Sequence, residues 1–337
     1  MKFKYYIVSI LLFELLCTTV TSIHVPVDYK SSSGGDQDSF GIGIWNGDDV
    51  SINIGTIDYT NPGSEATLQL TINDFTFPGD AITQSTYNYV TKHLTFVALT
   101  PYSVQGYMLT VDCVAWKVVG KIFLPVGYTF SGLASDQTSG KSSIFTTFSN
   151  GMGVQIVKIN PYTQAMNFLG GPINGAYQTS AYDPVHKQYY LGYSNQTGTY
   201  IRTYSPPSKI VQEKQIYFQG QTPPILIAPF HQRFTPLTNL IMGTFQLSNY
   251  DSQVINGIGF LDWDLGCFNM TQMLGLDADT FITTVPDSKN DLIYAFTYTV
   301  NPDVATLDGG IFIKTFNSTS AQLVSTKPYN TAILAAF

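Results

Sequence analysis

The chain has 337 residues, is 44% hydrophobic and 14% aromatic, and carries only 12% Asp, Glu, Lys and Arg, roughly half the share usual in a soluble domain. That composition excludes disorder, coiled coil and long charged helices, and a mean hydropathy of +0.06 excludes a chain built of many membrane spans. Sixteen basic residues against 23 acidic ones give a net charge of −7, the wrong sign for neutralising phosphates, so nucleic acid is not an expected partner.

At the start of the chain, Lys2 and Lys4 precede an apolar run over residues 5–17, and Val20 and Ser22 occupy the small-residue positions that a signal peptidase accepts. The run is too short to cross about 30 Å of hydrocarbon and has Glu14 in its middle, so residues 1–22 read as a signal peptide. No later apolar run of about 18 residues follows. The expectation is a secreted or extracellular protein, or one in the lumen of the secretory and endosomal system, with no transmembrane segment after cleavage. Cleavage removes Lys2, Lys4, Glu14 and Cys17, leaving 14 basic and 22 acidic residues, a net charge of −8, and two cysteines, Cys113 and Cys267. Two cysteines do not make a disulfide scaffold, so the core must supply the stability. Residues 23–38 read as a short extension and 39–337 as one domain.

From residue 39 onward the chain alternates short runs rich in Val, Ile, Thr, Tyr and Phe with clusters of Gly, Pro, Asn and Asp, and shows almost no 3.6-residue period. This is an all-β pattern. Residues 40–45, 50–59 and 66–72 read as three strands. A unit of four strands then recurs five times. Its second strand is the clearest, at 94–99, 143–148, 188–193, 240–245 and 292–297, with small residues Ala98, Thr147, Gly192, Gly243 and Ala295 spaced by 49, 45, 51 and 52 residues. The first strands lie at 81–86, 132–135, 177–181, 225–229 and 281–285. Third and fourth strands follow at 108–111 and 116–123, 154–159 and 164–169, 200–204 and 210–218, 257–263 and 270–274, and 311–316 and 321–324. Residues 332–337 give one further strand. Asn88, Asp136, Asp183 and Asp287 stand between first and second strands, where such side chains close turns on their own backbone.

Four strands and about 50 residues per unit is the arithmetic of a β-propeller blade, and small residues suit innermost strands that converge on an axis. The chain resembles propellers with degenerate YVTN-like or quinoprotein-like repeats, as in Ala181-Tyr-Asp-Pro-Val-His-Lys-Gln-Tyr-Tyr190. The resemblance implies fold and nothing about activity. Trp45, Trp116 and Trp263 are the only tryptophans, so the repeated Trp positions of docked quinoprotein blades are missing and a quinone cofactor is not implied. Pairing the C-terminal strand with the N-terminal three completes one more blade, closes the ring and removes its free edges. The expected fold is an all-β, six-bladed propeller, with seven blades as the alternative because the first unit is the least regular.

In such a ring the loops between second and third strands share a face with the interblade connections. These loops read as short in the early units and about eight residues longer in the fifth and sixth units, where they carry Asp251, Asp303 and Asp308. The matching loop of the first unit holds Asp48 and Asp49, and the connections add Asp80, Asp277 and Asp279. Oxygen ligands in this number fit either a cationic partner or Ca²⁺. On the opposite face, each first-to-second turn is expected to carry a cation, Lys92, Lys141, Lys187, Arg233 or Lys289, with His93, His186 and His231 beside them. Placed around a ring, those histidines do not converge on the roughly 2 Å shell that zinc needs.

Three Asn-x-Ser/Thr sequons, Asn195, Asn269 and Asn317, fall at loops and turns and are expected to be exposed glycan acceptors. Cys113 and Cys267 fall on opposite blades of a six-fold ring, too far apart for a disulfide. No motif for a zinc protease, serine hydrolase, phosphate loop or redox dithiol is present. Gly41-Ile-Gly43-Ile-Trp-Asn-Gly47 has the wrong spacing for a dinucleotide loop, and Asp262-Trp-Asp264-Leu-Gly266 lacks a closing glutamate. Two functions therefore stand. One is a secreted, glycosylated binding or signalling module for an extracellular protein or carbohydrate ligand, using Asp48, Asp49, Asp251, Asp303 and Asp308. The other is a hydrolase with Ca²⁺ at the channel mouth on Asp80, Asp277 and Asp279. A structural matrix or coat component is a third reading, from the tyrosine content and low charge.

Overall fold

A computed structural model describes residues 40–337 apart from 48–49, 62–64, 79–83, 102–104, 137–142, 150–152, 184–185, 206–209, 217–226, 236–239, 249–253, 263–266, 274–278, 288–289, 300–310, 318–319, 321 and 332. Between 227 and 282 only the strand backbone is described. The strands in chain order are β1 (Phe40–Asn46), β2 (Ser51–Asp58), β3 (Thr67–Asn73), β4 (Ser85–Asn88), β5 (His93–Leu99), β6 (Gly106–Asp112), β7 (Lys117–Phe123) and β8 (Thr129–Ser135). There follow β9 (Ile144–Ser149), β10 (Val154–Ile159), β11 (Met166–Ile173), β12 (Ala176–Asp183), β13 (Gln188–Asn195), β14 (Gly198–Ser205), β15 (Ile210–Gln215) and β16 (Ile227–Thr235). The last are β17 (Leu240–Ser248), β18 (Val254–Asp262), β19 (Cys267–Met273), β20 (Asp279–Asp287), β21 (Leu292–Thr299), β22 (Ile311–Asn317), β23 (Leu323–Tyr329) and β24 (Ile333–Ala336).

Every strand expected from the repeat is present, and all neighbouring pairs are antiparallel. The strands form six four-stranded sheets: β4–β7, β8–β11, β12–β15, β16–β19, β20–β23, and one in which β24 lies beside β1, β2 and β3. The fold is a β-propeller. Consecutive innermost strands meet, β4 with β8, β8 with β12, β12 with β16, β16 with β20, and β20 with β24.

The core lies between sheets, which explains why these strands read as nearly unbroken apolar runs: both faces are buried. Phe96 packs against Ile44, Ile52 and Ile54 of the first sheet, while the next residue, Val97, joins Phe130, Ile144 and Val157 of the third. Phe145 likewise packs with Tyr182, Tyr189 and Leu191 of the fourth sheet. Ile57, Tyr59 and Ile333 of the first sheet meet Val285, Tyr294 and Phe296 of the sixth. Gly41 and Gly43 sit where a Cβ would overlap the side chains of Tyr59 and Ile57, so the glycine run there serves close packing.

Where β24 meets β1, Phe337 N donates to Ile42 O at 2.9 Å, and Phe337 O accepts from Ile42 N at 3.0 Å and from Tyr59 OH at 2.9 Å.

Two details differ from the sequence reading. His231 and Arg233 lie within β16, not in a first-to-second turn, because a bulge between Phe230 and Arg233 adds residues to the strand and carries it to Thr235. The second-to-third connection of the fifth sheet is not lengthened: β17 and β18 are nine residues each, so the extra residues extend the hairpin and leave only 249–253 between them. The long connection is in the sixth sheet, at 300–310.

Candidate functional site

One face of the molecule is built from a repeated turn. In the second sheet, Asn88 Oδ1 accepts from Val90 N and Thr91 N at 2.9 and 3.0 Å, and Lys92 follows with φ 58 before β5 starts. Asp183 Oδ1 accepts from His186 N at 3.0 Å ahead of Lys187 at φ 55, and Asp287 Oδ1 accepts from Asn290 N at 3.1 Å ahead of Asp291 at φ 55. The third-to-fourth turns repeat the device. Asp112 Oδ1 accepts from Val114 N and Ala115 N with Trp116 at φ 48, and Asn160 Oδ1 accepts from Tyr162 N and Thr163 N with Gln164 at φ 61. Only a short acceptor side chain at the first position reaches both amides. The two amides hold the Asp112 carboxyl below its ordinary range.

The histidines on this face are engaged separately. Tyr162 OH and His93 Nδ1 are 2.7 Å apart across the second and third sheets, and His186 Nδ1 lies 2.5 Å from Asp183 Oδ2. Among the described residues no group of three His, Cys, Asp or Glu is placed to hold a metal ion. Asp136, expected as a turn former, accepts from Tyr182 OH at 3.2 Å, and its own turn lies outside the described residues. The Tyr162–His93 pair spans 69 residues of sequence, and the repeat pattern carries no signal for it.

Around the axis, short polar side chains link one innermost strand to the next. Asn88 Nδ2 donates to Ser135 Oγ at 2.9 Å and Ser135 N donates to Thr86 Oγ1 at 3.0 Å, while from the second strand β13 Tyr189 OH donates to Gly132 O of β8 at 2.7 Å. Thr283 Oγ1 reaches Ala336 O at 3.5 Å. Burial pushes the Tyr189 phenol up to about 12 and the Cys113 thiol up to about 12, so neither is an anion near neutral pH. Cys113 is a free, buried thiol. The side chain of Cys267, the first residue of β19, is outside the described residues.

The acidic residues were expected on the opposite face. Asp48, Asp49, Asp80, Asp251, Asp277, Asp303 and Asp308 all lie outside the described residues. Of this set the backbone of Asp279 alone is described: it opens β20 and pairs with Thr299, the last residue of β21 before the 300–310 segment. At the same end of the first sheet, Asn46 pairs with Ile52 across the connection that holds Asp48 and Asp49. Asn195, at the end of β13, is exposed on this face, whereas Asn317, at the end of β22, is half-buried on the turn face and Asn269 lies within β19.

A β-propeller is thus the class that sheet order and packing define. No family model matches the chain, and no curated protein is similar to it in sequence. Solved structures match in fold. TolB from Acinetobacter baumannii is 13% identical with a TM-score of 0.57, over 91% of this chain and 68% of that one. A protein from Lactobacillus plantarum is 8% identical with a TM-score of 0.50, over 88% of this chain and 98% of that one. A chain of a nidogen/laminin complex is 10% identical with a TM-score of 0.49, over 88% of this chain and 97% of that one. At these identities the likeness is one of fold alone.

Proposed function

We propose that the chain is a secreted binding module. In this reading residues 1–22 are a signal peptide, 23–38 an extension, and 39–337 one six-bladed ring that β24 closes. Its contact surface is the acidic face of the fifth, sixth and first blades, and its partner is a cationic extracellular protein or a carbohydrate. The observation that carries the reading is the register of the sixth sheet. Asp279 stands opposite Thr299, at the root of the 300–310 segment with Asp303 and Asp308, and β20 packs directly on β24 of the first sheet. Acidic segments from neighbouring blades then share one surface, which attracts a cationic partner and speeds its docking.

The test is titration of the full chain with a lysine-rich peptide at low and physiological salt, beside a variant with Asp48, Asp49, Asp303 and Asp308 all replaced by Asn. The variant is expected to bind about tenfold more weakly at low salt, with a smaller salt dependence. Equal affinity would remove the acidic face from the account. In the same preparation, a melting temperature raised by Ca²⁺ and not by Mg²⁺ would instead assign Asp80, Asp277 and Asp279 to a metal site and favour the hydrolase, since a ligand of the native state stabilises it.

A further inference from the structure

We propose that Asn195 is an N-glycan acceptor of the folded chain and that Asn317, in a sequon of the same kind, is not. The inference deepens the secreted reading above and rests on it. Both sequons end in threonine, Asn195-Gln196-Thr197 and Asn317-Ser318-Thr319, so the hydroxyl type does not separate them. Their surroundings do.

Asn195 closes β13 at the tip of a two-residue hairpin, paired with Gly198, and is exposed. Its Oδ1 accepts from Thr197 N at 2.8 Å and from Thr197 Oγ1 at 2.7 Å. Among the described residues its Nδ2 makes no hydrogen bond. Tyr200 OH lies 2.7 Å from Thr197 Oγ1, and Gln215 Nε2 donates to Thr197 O at 3.2 Å. The tip is thus held through the Asn195 side-chain oxygen and through Thr197, and not through the nitrogen that a sugar would take.

Asn317 is committed on both ends of its amide. Its Oδ1 accepts from Ser320 N at 2.8 Å and from Ser320 Oγ at 2.9 Å. Its Nδ2 donates to Asp291 Oδ2 at 3.3 Å and Asp291 O at 3.4 Å. Asp291 is the φ 55 residue of the β20–β21 turn, so the Asn317 side chain ties the two hairpin turns of the sixth sheet together. A sugar on Nδ2 displaces that tie and has to leave a half-buried position.

The co-reactant is a lipid-linked oligosaccharyl diphosphate. The bond from its anomeric carbon to the diphosphate oxygen breaks, that carbon bonds to Asn195 Nδ2, the lipid diphosphate departs with the electron pair, and one amide proton passes to the transferase's base. The glycan then stands on the second-to-third face at the fourth blade, next to the fifth, and borders the acidic surface without covering the sixth and first blades.

The experiment expresses the full chain in eukaryotic cells with its own residues 1–22 and, separately, with a heterologous signal peptide. Enzymatic glycan release in ¹⁸O water then marks occupied sites in the peptides of medium and membrane fractions. The expected result is high occupancy at Asn195 and several-fold lower occupancy at Asn317, with Asp291→Ala raising Asn317 occupancy and leaving Asn195 unchanged. Equal occupancy, or no sugar at Asn195 under the heterologous leader, overturns the proposal. Occupied Asn195 under the heterologous leader and no export under residues 1–22 would sink the secreted reading alone.

Discussion

At the scale of single residues, the repeated turn decides which carboxylates are surplus. Asp112, Asp183 and Asp287 spend an oxygen on backbone amides, and such a residue is read as a turn former before it is read as a site. The Asp112 carboxyl, held low by Ala115 and Val114 amides, has a pKa in the folded chain below its unfolded value. The stability it adds is present above the unfolded value of 3.8 and is lost as pH falls through the lower folded value. Asp112→Asn keeps the acceptor and loses the charge. The difference in unfolding free energy between the two proteins should be constant well above pH 3.8 and change as pH falls below it. A difference identical at pH 2 and pH 7, measured by urea unfolding, would contradict the turn's electrostatic part. The acceptors at Asn88, Asp183 and Asp287 were legible in the sequence because only Asn and Asp serve there. The left-handed residue four places on was not: Lys92, Trp116, Gln164 and Lys187 share no chemistry that marks them.

At the scale of elements, strand existence was legible and strand irregularity was not. Burial on both faces writes apolar runs such as residues 94–97 and 293–296 into the sequence, and their recurrence gives the four-strand unit. Bulges leave no such trace. Four of the innermost strands, β8, β12, β16 and β20, shift register against their second strand, and β24 does so against β1. Such shifts increase the local twist of a sheet. In β8 the bulge is carried by Gly132, with φ 68 and no room for a Cβ beside Ser180 Oγ. Gly132→Ala meets both penalties and is expected to cost roughly 2 kcal/mol, read as a lowered melting temperature. Gly171→Ala, where a Cβ meets nothing within 4 Å, should leave the melt nearly unchanged. Equal melts for Gly132→Ala and the parent would contradict the packing at the third and fourth sheets. The misplacement of His231 and Arg233 has the same origin, since a bulge moves a turn without altering the apolar pattern that announces the strand.

At the scale of the whole molecule, every step depends on how the ends of the chain meet. The proposed acidic face requires the sixth and first sheets to be neighbours, and β24 lies between them, paired with β1 and packed on β20. Ile333, Ala335, Ala336 and Phe337 are buried there. The run at 332–337, six residues of Ala, Ile, Leu and Phe that contain β24, was legible as an inner strand, and the three unpartnered strands at 40–72 supplied its place. The loops proposed for contact are marked in the sequence by charge alone, because a loop's length and composition do not set its path. The most direct measurement is a thermal melt of the protein lacking residues 331–337 beside the full chain. The account predicts that the truncated chain loses its cooperative transition or melts far below the parent, with the first sheet deprived of its inner strand. An unchanged melting temperature would contradict closure by the C-terminal strand and, with it, the joined surface of the sixth and first blades.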